Sequence, residues 1–471
     1  MKTLTRNTIN HIFKALLALI VTLMAPLNVA AAENILQESV VADPKNALQE
    51  LVVAAQKNDD QLLIAKAQFE ALRGQAGEGI APILPQLRLN VQSSQIDNSC
   101  TGCTANTAQP DSSGTSTRIE FTQTLYDPVK YRTFSATKAR VEQFGYQYGM
   151  AQNSLFTRLL DQYLNILTEA DKLRTIGAQR DRLSKQLKIV STMARSGTRS
   201  RVDVAEIAAN LALSQSQYEF SRITLRSFYE GLSASIKLDI KNLPPIRRDL
   251  ELEELESYNT DYWTGVALEK NLGFLARKAE VKAAVEDVKI SNRGHVPTFD
   301  LFATYVDRGA TIDSRSVQTS QTEVGVRFNV PIYTGGRVFA SIRTAKARLD
   351  EAERRLNLVR IELVTIVPSL VRQIKQGEEL IKASKSALDA RASIVEQTEL
   401  RYRAGADDIT DLLLAYERLY ESERSYYTSL YSHIRNYANF YVRVGGLNED
   451  VVARFYEIGE LENYDPTKPV Y

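Results

Sequence analysis

Two carboxylates occupy equivalent places after two glycine turns of this 471-residue chain. Asp203 lies six residues after Gly197, and Asp411 lies six residues after Gly405. If a helix begins after each turn, these side chains lie in its first turn, where the helix dipole stabilises negative charge. Carboxylates brought close together also attract multivalent cations. The alternative is that each aspartate only caps its helix, which is a common role for aspartate.

Charges of opposite sign flank the same two turns. Arg199 and Arg201 follow the first turn glycine, and Asp407 and Asp408 follow the second. We therefore consider these four residues candidates for a charge pairing that holds neighbouring helical hairpins together. The alternative is that all four are solvated surface charges, because an exposed ion pair contributes only about 0.2 to 1 kcal/mol.

The two cysteines, Cys100 and Cys103, form a Cys-x-x-Cys pair in a loop rich in serine, threonine and glycine. Such a pair can be a redox centre, half of a zinc site or a local disulfide. A structural zinc ion needs four ligands, and the three histidines are scattered along the chain. A disulfide is the expected state in an exported chain, with free thiols as the alternative.

Motifs of known enzyme classes are missing from the sequence. It contains no glycine-rich phosphate loop, no HExxH motif and no nucleophile elbow. His433 falls at a helical position, where a packing role is expected. We therefore predict that the protein is not an enzyme and needs no cofactor or metal, so energy for any transport must come from a partner.

The chain contains an internal tandem repeat. A shift of 208 residues places the turn at 195–204 on the turn at 403–412, and residues 138–140 on residues 346–348. Self-similarity at a fixed spacing means that one structural unit occurs twice. Each half of the chain is therefore expected to contain the same set of strands and helices.

Alternation of apolar and polar residues predicts two strands in each repeat. The expected strands cover residues 86–95, 116–125, 298–306 and 322–330. In the last of them, Val324, Val326 and Phe328 alternate with Glu323, Arg327 and Asn329. Strands of about 9 to 11 residues with one apolar and one polar face are typical of membrane barrels. A half-buried sheet of a soluble protein gives the same alternation.

Helical periodicity fills the long segments that follow the strands. The expected helices cover 129–195 and 202–235 in the first repeat, and 337–403 and 410–443 in the second. The first would be roughly 100 Å long at 1.5 Å per residue, which no compact core requires. After each turn, apolar or small residues recur in steps of three and four. This heptad pattern predicts coiled-coil packing.

Composition and the N-terminal residues indicate export. Lys2, Arg6 and Lys14 precede an apolar run that ends in three alanines, the pattern of a signal peptide over residues 1–32. No later segment is apolar for 18 residues, so no membrane-spanning helix is expected. Without the signal peptide the chain has 55 Lys and Arg against 57 Asp and Glu. Nucleic acid is not an expected partner, because there is no basic excess to bind it.

Several of these segments resemble the TolC family of outer-membrane export channels. The resemblance lies in residues 81–87 before the first strand, in the strand exits at 125–127 and 332–336, and in the turn at 197–204. It covers both repeats, roughly residues 45 to 445. It implies a first repeat at 33–245, a second repeat at 246–450 and a C-terminal tail at 451–471.

The resemblance implies a mixed α and β fold in which three chains share one barrel. Four strands are too few to close a barrel, since about eight is the smallest number that fills. A homotrimer would form a 12-stranded outer-membrane β-barrel, with four strands per chain, continued by a long α-helical coiled-coil tunnel in the periplasm. The outer membrane lipid surrounds such a barrel, and the expected partners are a periplasmic adaptor protein and an inner-membrane transporter.

The function that the resemblance implies is an export duct for efflux of small molecules or for type I protein secretion. The alternative is a structural or adhesive coiled-coil surface protein without channel activity. Such a filament or rod would have no need for four strands of a length matched to lipid. The four predicted strands therefore favour the duct.

The resemblance also implies roles for the residues at the turns. Asp203 and Asp411 of three chains would line a narrow periplasmic entrance, and Tyr402 would tie neighbouring helices shut. The family has an arginine in the second turn where this chain has Asp407. Because the arginines of this chain lie in the first turn, the charge pairing is expected to be swapped between the two repeats.

The glycines of the two turns are the expected contacts with the adaptor. Gly197 with Thr198, and Gly405 with Ala406, form the tips of the two hairpins. Glycine permits a left-handed helix end and a close approach of another backbone. The alternative is that each glycine merely ends its helix.

Overall fold

The computed structural model describes residues 47–96, 112–240, 243, 255, 257–312, 315–445, 447, 451–453 and 455. The expected signal peptide, Cys100, Cys103 and most of the C-terminal tail lie outside these residues. The chain divides into two compact units. Unit 1 is formed mainly by Ala71–Val141 and Glu280–Ala352, and unit 2 by Glu142–Ala279 with the described parts of Val41–Glu70 and Glu353–Tyr471.

Unit 1 contains a four-stranded antiparallel sheet whose strand order follows the sequence. Its strands are β1 (Gln86–Ile96), β2 (Ser112–Tyr126), β3 (Thr298–Ile312) and β4 (Arg315–Asn329). Each repeat therefore supplies two neighbouring strands. Within the chain β1 and β4 each pair with one neighbour only, so they are the edge strands of the sheet.

The strands extend beyond the ranges expected from the sequence. Strands β2, β3 and β4 have 15 residues each. The additional residues are mostly serine, threonine, glycine and glutamine. Alternation of apolar and polar residues cannot reveal these parts, because both faces of the sheet are polar there.

The helices are α1 (Ala47–Asn58), α2 (Asp60–Ile80), α3 (Pro128–Arg195), α4 (Arg201–Ile236), α5 (Thr260–Lys270), α6 (Leu272–Ser291), α7 (Arg337–Arg403) and α8 (Ile409–Val444). The ends of the four long helices differ by at most one residue from the expected ends. None of the helices in the described ranges has the length and apolar character of a membrane span.

Aromatic and aliphatic side chains of α3, α5 and α8 form the main core of unit 2. Tyr163 and Phe440 are almost fully buried, and the indole of Trp263 meets the Phe440 ring edge-on at 5.0 Å. Burial of each such side chain contributes roughly 1.5 to 3 kcal/mol. The prediction of a mixed α and β fold built from two tandem repeats is confirmed.

Candidate functional site

The two predicted turns have the same backbone structure. The φ angle is +80° at Gly197 and +77° at Gly405, a left-handed conformation that side chains with a Cβ rarely adopt. At the first turn the Thr198 amide donates to the Met193 carbonyl over 2.9 Å, and at the second the Ala406 amide donates to the Arg401 carbonyl over 2.9 Å. This pattern is the Schellman motif, which ends helices α3 and α7.

The caps of the helices that follow the turns are not Asp203 and Asp411. The Ser200 side chain accepts from the Val202 amide at the start of α4, and Asp408 accepts from the Asp411 amide at the start of α8. Asp203 and Asp411 therefore occupy the third residue of each helix. The alternative that these two aspartates are the helix caps is wrong, because Ser200 and Asp408 fill that role.

Asp203 is half-buried within the chain and Asp411 is exposed. In the described part of the chain, neither carboxylate forms an ion pair. Both remain available to ligands or to further copies of the chain. No cluster of three or more histidine, cysteine, aspartate or glutamate side chains suited to a metal ion occurs among the described residues.

Tyr402 lies in a small core close to the turns. Its side chain is only 6% exposed, and it packs with a set of aliphatic residues from α3, α4 and α8, namely Leu183, Val190, Ile207, Ile409 and Leu412. The Arg199 guanidinium lies over the Tyr402 ring, 4.7 Å from its centroid. A cation over an aromatic face contributes about 0.5 to 2 kcal/mol. This contact joins the first hairpin (α3 and α4) to the second (α7 and α8).

The ion pair at the second turn forms within one hairpin. Arg401 Nη2 is 2.8 Å from Asp407 Oδ1, and the Asp407 side chain is 13% exposed. Within the described chain, Asp407 therefore pairs with Arg401 and not with Arg199 or Arg201. The expected pairing across hairpins does not occur inside one chain, because Arg401 is much closer in sequence and Asp408 is used as a cap. Pairing between neighbouring chains stays a prediction.

A second contact between the hairpins was not predicted from the sequence. The Tyr416 hydroxyl of α8 donates to Glu399 Oε1 of α7, and Arg182 of α3 lies over the Tyr416 ring at 5.1 Å. Arg182 Nη1 is also 3.9 Å from Glu399 Oε1. Burial and the neighbouring Glu399 carboxylate raise the pKa of the Tyr416 hydroxyl. Heptad spacing indicates which faces are apolar but not which polar residues of distant helices meet.

The four-stranded sheet of unit 1 has two chemically different faces. One cross-strand row of the apolar face consists of Leu87, Phe121, Ala303 and Val324, and the next consists of Leu89, Ile119, Tyr305 and Thr322. A row of the opposite, polar face consists of Arg88, Glu120, Thr304 and Glu323. On the edge strands the apolar face is open, since Leu89 is 67% and Val326 60% exposed. This face must be covered by something apolar outside the chain.

Comparison with known proteins agrees with this geometry. The sequence profile of the family "outer membrane efflux protein" matches residues 51–233 and 263–446, one match in each repeat. The chain is 25% identical to outer membrane protein TolC of Escherichia coli (strain K12) over 408 residues, which cover 81% of this chain and 79% of that protein.

Two further comparisons extend the likeness. The chain is 24% identical to the alkaline protease secretion protein AprF of Pseudomonas aeruginosa, over 73% of this chain and 72% of that protein. The crystal structure of the Campylobacter jejuni CmeC outer membrane channel has the same fold, with a TM-score of 0.71 and 16% identity over 88% of this chain and 89% of that one. Because the family profile matches more than half of its residues, this chain belongs to the outer membrane efflux protein family.

Proposed function

We propose that three copies of this chain close one barrel in the outer membrane and that their long helices form a periplasmic tunnel. The observation that carries the proposal is the sheet itself, with four strands, two unpaired edges and one open apolar face. Pairing β1 of one copy with β4 of the next would satisfy both edges and place the apolar face on lipid. As a member of its family, the protein is an outer-membrane export channel that extends into the periplasm.

The periplasmic entrance of the tunnel is formed by Asp203 and Asp411. Both occupy the third residue of a helix that starts directly after a hairpin tip. Three copies would bring six such carboxylates together at one opening. A ring of this kind favours cations and binds multivalent ones.

The closed state is held by contacts between the two hairpins of each chain. Arg199 on Tyr402 lies beside the turns, and Arg182 with Glu399 and Tyr416 forms the second contact. Both contacts are only partly buried, so each is weak enough to break when the hairpins separate. We expect the entrance to open when the second hairpin moves away from the first.

Gly197 and Gly405 form docking points for a periplasmic adaptor that connects the tunnel to an inner-membrane transporter. A Cβ built on either glycine meets no atom within 4 Å, so both tips are open to a partner. The test compares Gly405→Trp with Gly405→Asn, because asparagine tolerates the left-handed conformation. Export should be lost in the tryptophan variant and kept in the asparagine variant, with equal amounts of both in the membrane. Full export by Gly405→Trp would remove the docking role.

The cargo is a small molecule or a secreted protein. TolC and AprF are named for the outer membrane and for secretion of alkaline protease, and both resemble this chain to a similar extent. Expression in a host that lacks its own export channel tests both, with drug resistance and secreted protease as the two readouts.

Planar-bilayer recording of the purified protein, together with chemical crosslinking, tests the duct itself. Crosslinked trimers with discrete conductance steps are expected. Monomers without conductance would instead favour a structural or adhesive surface protein.

A further inference from the structure

The apolar face of the sheet changes its chemistry along the strands while the pairing continues. Beyond the row that contains Leu89 and Tyr305, the same face carries Val91 on β1, but Asp307 and Ser320 on β3 and β4. Two further rows follow, which we call the outer rows. Their members on β1, β2 and β4 are Ser93, Thr115 and Gln318, and then Gln95, Ser113 and Ser316.

The outer rows lie too far from the apolar rows to contact hydrocarbon. Successive rows on one face are about 6.7 Å apart along a strand, or roughly 5 Å along the membrane normal at the tilt of a membrane barrel. The apolar rows run from Phe328 to Leu89, which corresponds to about 20 Å of membrane thickness. The outer rows then lie about 10 and 15 Å beyond the row of Leu89.

The side chains of the outer rows are also unusual for a surface that faces only water. None of the residues in these two rows is charged, although charged residues make up 24% of the chain. The charge at this level lies on the opposite face, where Arg308 pairs across from Ser116 and Thr319. Hydroxyl and amide groups both donate and accept hydrogen bonds. Such a surface matches the hydroxyl-rich rings of sugars.

We propose that the outer rows contact the sugar residues of the glycolipid that forms the outer leaflet of the outer membrane. This inference rests on the proposed barrel, because it requires the apolar face to point outwards. The continuous antiparallel pairing leaves no backbone group free in the rows, so recognition is by side chains alone. Contact with sugars then continues directly from contact with lipid tails, on the same face of the same strands.

The experiment places one nitroxide label at a time on the full chain, with Cys100 and Cys103 replaced by serine. The labelled positions are Gln318→Cys in the outer rows, Thr319→Cys on the opposite face at the same height, and Val324→Cys among the apolar rows. Each variant is reconstituted into phospholipid vesicles that contain lipopolysaccharide with its full core oligosaccharide or lipopolysaccharide truncated to lipid A. Collision of the label with a water-soluble nickel chelate and with oxygen is then measured.

The full core oligosaccharide should lower the nickel accessibility of position 318 several-fold and leave position 319 unchanged. Equal nickel accessibility of position 318 in both vesicles would overturn the proposal, because the rows would then face water. High oxygen accessibility of position 318 would also overturn it, because the rows would then lie in hydrocarbon. Failure of the barrel itself would appear separately, as a label at position 324 that the nickel chelate reaches in both vesicles.

Discussion

The imidazole ring of His433 in α8 lies against Gly377 in α7, so closely that a Cβ on Gly377 would be 2.3 Å from His433 Nδ1. His433 is 1% exposed, and neither ring nitrogen has a hydrogen-bond partner among the described residues. Glycine inside a helix costs about 0.5 to 1 kcal/mol relative to alanine. Here it allows the two helices of the second hairpin to approach each other with a ring between them.

Replacing Gly377 with alanine should therefore destabilise the protein, although alanine is the better helix former. We expect a loss of about 1 to 3 kcal/mol from overpacking against His433. Gly231→Ala in α4 is the matched control, since a Cβ there meets no atom within 4 Å, and it should gain up to about 1 kcal/mol. Denaturant unfolding followed by circular dichroism measures both. Equal gains in the two variants would show that the ring and the glycine are not in tight contact.

The stability of the second hairpin should decrease in acid because of His433. Burial lowers the pKa of His433 below the model value of 6.5. The unfolded chain therefore binds the proton more tightly than the folded one, so stability is complete above about pH 6.5 and is lost as pH falls towards the lowered value. His433→Phe keeps an aromatic ring without a titrating group. The difference in unfolding free energy between wild type and this variant should change between pH 7 and pH 5, and a constant difference would contradict the prediction.

Local signals in the sequence predicted the parts of this protein that depend on neighbouring residues. Gly197 and Gly405 ended their helices as expected, because a left-handed residue needs only the local chain. The contact of His433 with Gly377 could not be predicted, since the two residues lie on different helices and no periodicity relates them. The same holds for Arg182 with Glu399, which depends on how two hairpins pack.

An arginine on the apolar face of the sheet should prevent insertion into the membrane. Val326 lies opposite Leu301 on this face, and Asn329 lies opposite Thr298 on the polar face. Val326→Arg should cost roughly 2 to 4 kcal/mol, because a charge near the middle of a lipid-facing strand must be desolvated. Asn329→Arg should be far milder. The yield of folded protein in outer-membrane extracts measures both, and equal losses would mean that the two faces have been assigned the wrong way round.

The ring of Tyr402 should matter for closure and its hydroxyl should not. The hydroxyl is buried without a hydrogen-bond partner among the described residues, whereas the ring carries Arg199. Tyr402→Phe should therefore keep the low resting conductance of the closed channel, and Tyr402→Ala should raise it, because the ring and its contact with Arg199 are removed. Arg199→Ala should have an effect of the same sign as Tyr402→Ala. A leak in Tyr402→Phe as large as in Tyr402→Ala would show that the hydroxyl binds a partner from another chain.

The two aspartates at the entrance should control ion selectivity without contributing to helix capping. Asp203→Ala combined with Asp411→Ala removes six carboxylates from a ring of three chains, so cation selectivity should fall and block by multivalent cations should be lost. Asp408→Ala is the matched control, because Asp408 accepts from the Asp411 amide over 3.0 Å. It removes a charge from the same turn and should cost about 1 kcal/mol of stability as a lost cap, while multivalent block persists. Planar-bilayer recordings with the cation added on the periplasmic side separate the two roles. If Asp408→Ala abolished block and the double variant did not, the narrow ring would lie at the cap residues and not one helical turn further along α4 and α8.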